Sequence, residues 1–208
     1  SSEADIYAHL GLAYVPPELR EDTGEVAAAL GDGLPALLEP SMIRGSLHNH
    51  TNLSDGEASL EVMADAAHRM GWSWLGLADH SPSLVIANGA SAEDLLAQGA
   101  SVRAANAEWD KQGKDFRLFH GVESDVLEGG RLDHPDEVLN ELDYVVASVH
   151  ALGRWRGRDE QTNTEELLQA IDHPATTVLG HPTGRILQGR DGYEVDLMAV
   201  LEHMAEHN

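Results

Sequence analysis

Apolar residues in this chain follow two rhythms. Five short runs rich in β-formers read as buried strands: Ser46-Leu47, Trp72 to Ala78, Phe116 to Val122, Tyr144 to Val149 and Thr176 to Gly180. Between them, apolar positions recur at helical spacing. Leu60 to Met70 is one such helix, with Ser59 as its N-cap and the acidic Glu61 in its first turn. Ala92 to Asn106, Pro135 to Leu142, Thr164 to Ile171 and Tyr193 to His207 follow as helices. Asp136 and Glu137 occupy the first turn of the Pro135 helix, after a proline at its N1-like position. Strands alternating with helices predict a parallel sheet with right-handed crossovers, either an open α/β sheet or a barrel.

Residues 1–43 do not share this alternation and read as a lead-in to an α/β domain over 44–208. Tyr14-Val15-Pro16-Pro17-Glu18 is expected to be extended, because Pro17 disfavours helix at Pro16. Glu25 to Leu38 offers alanine-rich helical pieces broken at Gly31 and Gly33. The chain carries no internal repeat and no low-complexity stretch.

Each apolar run ends in residues of metal-ligand type. In order these are His48-Asn49-His50, Asp79-His80, Glu123, His150 and His181. In parallel α/β folds the carboxyl ends of the strands are where chemistry is done. Strand alternation puts His48 and His50 on one face, where two imidazoles can hold one ion. Alone, that pair is weak support. The turn Thr51 to Gly56 follows, and its Asp55 either folds back to the same mouth or merely makes an Asx-turn. Asp79 either orients the neighbouring imidazole or caps a helix. Glu123 closes a run that should be buried, where an unpaired carboxylate is costly and a carboxylate bridging two cations is not. A single strand-end histidine is more often structural than a ligand. Seven such residues (His48, His50, Asp55, His80, Glu123, His150 and His181) at five strand ends point instead to a polynuclear metal site. His9, His68, His120, His134, His173, His203 and His207 fall on helices, loops or mid-strand and read as non-ligands.

Composition narrows the chemistry. The 208 residues include no cysteine, so disulfides and thiolate sites are excluded and any metal takes nitrogen and oxygen ligands. That donor set suits Zn, Mn or Fe. There is no membrane-length apolar run and no basic-then-apolar leader, so the expected location is the cytoplasm, with no membrane partner. Net charge is −23, from 36 acids against 13 bases, which fits a soluble acidic protein or one adapted to saline cytoplasm. A broad basic face for nucleic acid is absent, leaving only local engagement. Five of the 13 bases sit in two loops at the presumed mouth: Arg154, Arg156 and Arg158 after His150, and Arg185 and Arg190 after His181. They are either clamps for an anionic substrate or solvated loop residues.

The motifs LHNHTNLSDG, LADHS, GVESDVL, ASVHAL and LGHPTGR resemble, in order, those of the PHP (polymerase and histidinol phosphatase) superfamily. More narrowly, VPPELRE, IRGSLHNHT, ADHSPSLVIANG, LDHPDEVL and GHPTGRIL resemble the C-terminal PHP domain of bacterial family X DNA polymerases. The resemblance implies a distorted (β/α)7 TIM-like barrel with two to three divalent metal ions at the C-terminal face of its strands. It implies one ion on His48, His50 and Glu123, a second on Glu123 and His150, and a third on Asp55, His80 and His181. Asp79 matches an acidic position behind the ligands and, with Glu123 and Arg185, is expected to serve catalysis. The family's last motif, an Asp-x-His, and the last strands have no counterpart here, so the barrel is expected to be incomplete. Residues 1–43 resemble the tail of the polymerase region. The implied function is a metal-dependent phosphoesterase, a 3′–5′ exonuclease acting on DNA 3′ ends beside its parent polymerase domains. The alternatives are a small-molecule phosphatase and a non-catalytic module that stabilises its polymerase.

Overall fold

The computed structural model describes residues 2–31, 33–150 and 152–207. The chain divides into two compact units, Ser1–Met42 and Ile43–Asn208. In the first, α1 (Glu3–His9) begins with a capping box that the sequence reading passed over, although Ser2-x-x-Asp5 announces it. The Asp5 amide donates to Ser2 Oγ at 3.2 Å and the Ser2 amide to Asp5 Oδ2 at 2.6 Å. Pro16 is extended as expected, whereas Pro17–Leu19 closes a short 3₁₀ turn. Among the described residues of the alanine-rich stretch, only α2 (Glu25–Ala29) is helical.

The second unit is built on five parallel strands in sequential order: β1 (Gly45–Asn49), β2 (Trp74–His80), β3 (Arg117–Asp125), β4 (Tyr144–Ser148) and β5 (Thr176–Leu179). Helices fill the crossovers: α3 (Leu60–Arg69), α4 (Ala92–Lys111), α5 (Asp136–Leu139), α6 (Leu152–Trp155), α7 (Glu160–Ile171) and finally α8 (Leu197–His207). The sheet curls strongly. In a flat five-stranded sheet the edge strands would lie about 19 Å apart, yet the rings of His48 in β1 and His181 beyond β5 are 5.9 Å apart. This is the expected α/β fold, part of a TIM-like barrel. Among the described residues no helix is long and apolar enough to cross a membrane.

Alternation along the strands sorts the side chains between two faces. The concave face carries Ala78, Tyr144 and Val146 with Phe119 and Val178. Gly76 and Gly121 leave room there for the Tyr144 ring, whose hydroxyl donates to the Leu77 carbonyl at 2.8 Å. The convex face packs under the helices. Leu75, Leu77 and Leu118 meet Ala64 and Ala67 of α3 and Val102 of α4, while Val122, Val145 and Ala147 share a core with Leu167 of α7 and Val200 of α8.

Helix ends differ from expectation where a carboxylate caps them. Helix α7 starts at Glu160 rather than Thr164, because Asp159 Oδ1 accepts the Thr162 amide at 2.8 Å. Helix α8 starts at Leu197 rather than Tyr193, because Asp196 Oδ1 accepts the amides of Met198 and Ala199, both at 3.0 Å. Pro135 is the N-cap of the single-turn α5, one position earlier than its expected place. Ser59 stands at the N-cap of α3, but its hydroxyl donates to Glu61 instead of accepting a backbone amide.

Candidate metal centre

At the carboxyl end of the strands, five imidazoles surround one carboxylate. Glu123 is 1 % exposed, and its Oε1 lies 2.9 Å from His48 Nε2, 3.2 Å from His150 Nε2 and 2.8 Å from His181 Nε2. Its Oε2 lies 2.8 Å from His80 Nδ1 and 3.5 Å from His50 Nε2. Register accounts for the centre of this array: His80 is the partner of Glu123 across β2 and β3, so the two leave adjacent strands side by side on the concave face. Asp55 reaches in from the Thr51–Gly56 turn, 3.6 Å from His50 Nδ1 and 3.5 Å from His80 Nε2.

Three trios of ligand atoms, each within 4.8 Å, emerge: His48, His50 and Glu123; His50, Asp55 and His80; and His80, Glu123 and His150. The grouping differs in one respect from the expected one. Asp55 and His80 come together with His50, whereas His181 sits on Glu123 Oε1 with its ring 4.9 Å from that of His150. The donor set fits divalent ions. His50 Nδ1, His80 Nδ1 and Glu123 Oε2 are buried and make no hydrogen bond, a costly arrangement without a cation among them. Of the histidines read as non-ligands, His9, His68, His120, His134, His173 and His203 join no such trio among the described residues; the His207 side chain lies outside them.

Backbone strain marks two of the histidines. His48 has φ of 64° and His181 φ of 24°, both in the region that L residues seldom adopt. At His48 the cause is a bulge. Ser46 pairs with Leu75 but Asn49 with Leu77, so β1 holds one residue more than β2 over this stretch. The Asn49 side-chain amide fills the resulting gap by donating to the Gly76 carbonyl at 2.8 Å. The two histidines of His-x-His therefore converge through a bulge and a left-handed residue, and simple alternation was the wrong reason for their meeting.

Electrostatics follow from burial and crowding. Burial opposes ionisation of Glu123, but the ring nitrogens of His150, His181, His48 and His80 crowded around its oxygens hold its carboxyl far below the usual carboxylate range. Burial and the neighbouring His80 lower His50. His150 is also penalised by burial, yet Asp125 and Glu123 push it up to about 9.

Asp125 is the residue that sequence reading missed. Buried at 5 % exposure, its Oδ1 lies 3.0 Å from His150 Nδ1, which leaves Nε2 facing Glu123. The signal was available: Asp125 stands two residues after Glu123 on the same strand and so shares its face. Asp125→Asn is expected to weaken metal binding about 10- to 100-fold, as for other carboxylates that orient a ligating imidazole. In the native protein a metal must displace the proton that His150 holds up to a pH of about 9, so affinity should climb as pH rises from 7 to 9. Zinc titration against a chromophoric chelator at several pH values measures both, and the variant should show a flatter pH slope. An Asn variant with native affinity and slope would deny Asp125 this part.

Asp79 faces the other way. Strand alternation sends it to the convex side, where it is fully buried and accepts four hydrogen bonds: from the Thr51 amide and the Ser54 hydroxyl on Oδ1, at 2.7 Å each, and from the Thr51 hydroxyl at 2.8 Å and Gln98 Nε2 at 2.7 Å on Oδ2. The expectation that it orients His80 is corrected: Asp79 pins the turn that carries Asp55. The arginine loops are corrected too. Arg154 and Arg158 are ion-paired to the buried Glu166, Arg156 donates to the Asp191 carbonyl and Arg190 to the Gly184 carbonyl. A buried carboxylate draws in the cations nearest to it. Of the five, only Arg185 is exposed with no side-chain partner among the described residues, and it lines a cleft whose floor includes His150 and His181.

Comparison with known proteins places the arrangement in context. The profile of the PHP domain family matches residues 46–207. The chain is 38 % identical over 201 residues to the DNA polymerase/3'-5' exonuclease PolX of Bacillus subtilis, a match covering 97 % of this chain and 34 % of that protein. It is 30 % identical over 165 residues to a protein named probable phosphatase in Clostridium acetobutylicum, covering 78 % of this chain and 60 % of the relative. A probable phosphatase of Caldanaerobacter subterraneus is 28 % identical over 163 residues, or 77 % and 58 % of the two chains. The chain thus spans about a third of PolX and about three-fifths of the phosphatases.

Proposed function

The chain belongs to the PHP domain family, and from that premise we propose that the histidine-lined mouth is the centre of a metal-dependent phosphoesterase. Two to three divalent ions, of Mn, Zn or Fe, would be held by His48, His50, Asp55, His80, Glu123, His150 and His181. The observation that carries this reading is Glu123: a buried carboxylate with both oxygens within 3.5 Å of histidine nitrogens on five sides. When bound, such ions supply water of lowered pKa and offset negative charge on the phosphate. Glu123 ties the two halves of the cluster together, Asp125 fixes the ring of His150, and Asp79 holds the Asp55 turn in place. Of the five loop arginines, Arg185 alone has no side-chain partner among the described residues, which suits it to fork onto non-reacting phosphate oxygens.

The finer reading is a 3′–5′ exonuclease module beside a family X DNA polymerase. Its support is the PolX match, which extends over 97 % of the chain and so beyond the family region at 46–207 into the first unit. On this reading Ser1–Met42 is the tail of the polymerase region. A phosphatase acting on small phosphomonoesters is the second reading, favoured by the relatives named phosphatases and by the charge of −23, which repels a long duplex outside the mouth. Incubating the Mn²⁺-loaded protein with a 5′-labelled oligonucleotide and a phosphomonoester panel separates the two. Stepwise shortening from the 3′ end is expected. Turnover of neither, with elemental analysis finding fewer than two ions per chain, would defeat the phosphoesterase reading.

Arg185→Lys keeps the charge but loses the planar fork. The expected outcome is a KM raised about ten-fold, the loss of one charge-assisted hydrogen bond, with metal content unchanged. Should the substitution strip metal, or leave KM where it was, Arg185 is not the phosphate clamp.

A further inference from the structure

Beside the histidine cluster lies a cleft of about 440 Å³, far larger than one phosphate group fills and within the range of sites that take a whole small ligand. Its floor is His150 and His181, and its walls come from two loops. The loop after β2 contributes Leu84 and Ile86, and the loop after β5 contributes Arg185 and Ile186. Ile86 is 94 % exposed and Ile186 53 %. Single exposed apolar side chains are ordinary. Here two β-branched ones from separate loops flank one cleft that opens onto the proposed reaction centre.

Hydrogen bonds brace both loops near these isoleucines. Ser83 donates from its amide and its hydroxyl to the two oxygens of Asp133, each at 2.6 Å. The Ala90 amide donates to the His80 carbonyl at 2.7 Å, and Gly89 passes so close that an added Cβ would stand 1.9 Å from the Ser81 oxygen. In the other loop Ile186 and Arg190 exchange backbone hydrogen bonds of 2.8 and 2.9 Å, and the Arg190 guanidinium closes onto the Gly184 carbonyl. The two loops thus hold apolar side chains in water.

We propose that Ile86 and Ile186 grip the apolar face of a flat ring attached to the phosphate ester, so that esters bearing a nucleobase are preferred over those whose organic part is a bare sugar. The inference rests on the phosphoesterase reading and names the substrate class that the same mouth selects. The side chains of Leu84, Ile86 and Ile186 offer no donor or acceptor, and the Arg190 guanidinium that also lines the cleft is engaged by the Gly184 carbonyl, so a polyol pressed against these three loses its hydration without return. A nucleobase presents an apolar face to them at no such cost and leaves its phosphate to Arg185.

The test is equilibrium binding by calorimetry, on the full chain loaded with Mn²⁺, with two matched pairs of probes. One pair is adenosine 5′-monophosphate and ribose 5-phosphate; the other is a thymidine dinucleotide and its analogue abasic at the 3′ residue. The native protein is expected to favour the base-bearing member of at least one pair about ten-fold. In the I86S/I186S double variant the preference should collapse to within about two-fold, by loss of affinity for the base-bearing probe alone, while I86L retains it. Both positions are exposed, so the melting temperature should hold. Equal affinity within each pair in the native protein, absence of binding to all four probes, or an equal loss for both members in the double variant each overturns the clamp. Since binding is read without turnover, a preference found in a protein that hydrolyses nothing would sink the phosphoesterase reading and leave the clamp standing.

Discussion

Glu123→Gln should lose about three orders of magnitude or more in turnover with Mn²⁺ in excess, while His150→Ala loses less. The carboxylate is the one group whose two oxygens face both halves of the cluster, Oε1 toward His48, His150 and His181 and Oε2 toward His80 and His50. Gln keeps the shape but removes the negative charge that balances the cations and replaces one acceptor oxygen with a donor. Divalent ions supply several kcal/mol of charge stabilisation in such hydrolyses, and about 4 kcal/mol corresponds to roughly 10³ in rate. Each histidine, by contrast, offers one nitrogen and can be replaced in part by water. Turnover of both variants, measured beside their metal content, decides the matter. Equal losses would remove the bridging role from Glu123 and leave the metal site itself in place.

Asp79→Ala should act on stability first. Its carboxylate is fully buried and accepts from Thr51 twice, from Ser54 and from Gln98, so truncation removes four hydrogen bonds from the interior. Hydrogen bonds to a charged group and the penalty for orphaned donors put the loss at about 3 kcal/mol. For a domain of this size that lowers the melting temperature by roughly 6–12 °C. Asp55→Ala is the control. Asp55 is 48 % exposed and its carboxylate lies against His50 and His80, so its removal should reduce metal content with little change in melting. If Asp79→Ala melts like the native protein while losing metal, then Asp79 belongs to the site directly, and its assignment to the turn is wrong.

Strand ends, helix bodies and the residues of the mouth were legible because each depends on local pattern. A run such as YVVASV before His150 is buried whichever partner it finds, and the residue after it must emerge at the same end of a parallel sheet as its counterparts on the other strands. Alternation could have been pushed further than it was. It already separates Asp79 from His80 and joins Asp125 to Glu123, two assignments that needed only a count of residues along β2 and β3. The N-terminal boundaries of α7 and α8 were equally within reach, since Asp159 and Asp196 are capping residues by type.

Other features could not be read from the chain at all. The bulge at His48 exists because β1 must be one residue longer than β2 to bring its histidine to Glu123, and register is a property of the pair. The arginines after His150 looked free because sequence does not reveal that Glu166, only 8 to 12 residues further on, turns inward from α7 and claims Arg154 and Arg158. Likewise the pairing of Asp55 with His50 and His80, and of His181 with Glu123, depends on how far the sheet curls. The sequence by itself determined which residue types gather at the mouth and that the fold is parallel α/β, since hydrophobic period and strand polarity are local. Tertiary structure alone decided which side chains meet there, because curl, register and competition for buried charge are settled between separate elements as they pack, not within any one of them.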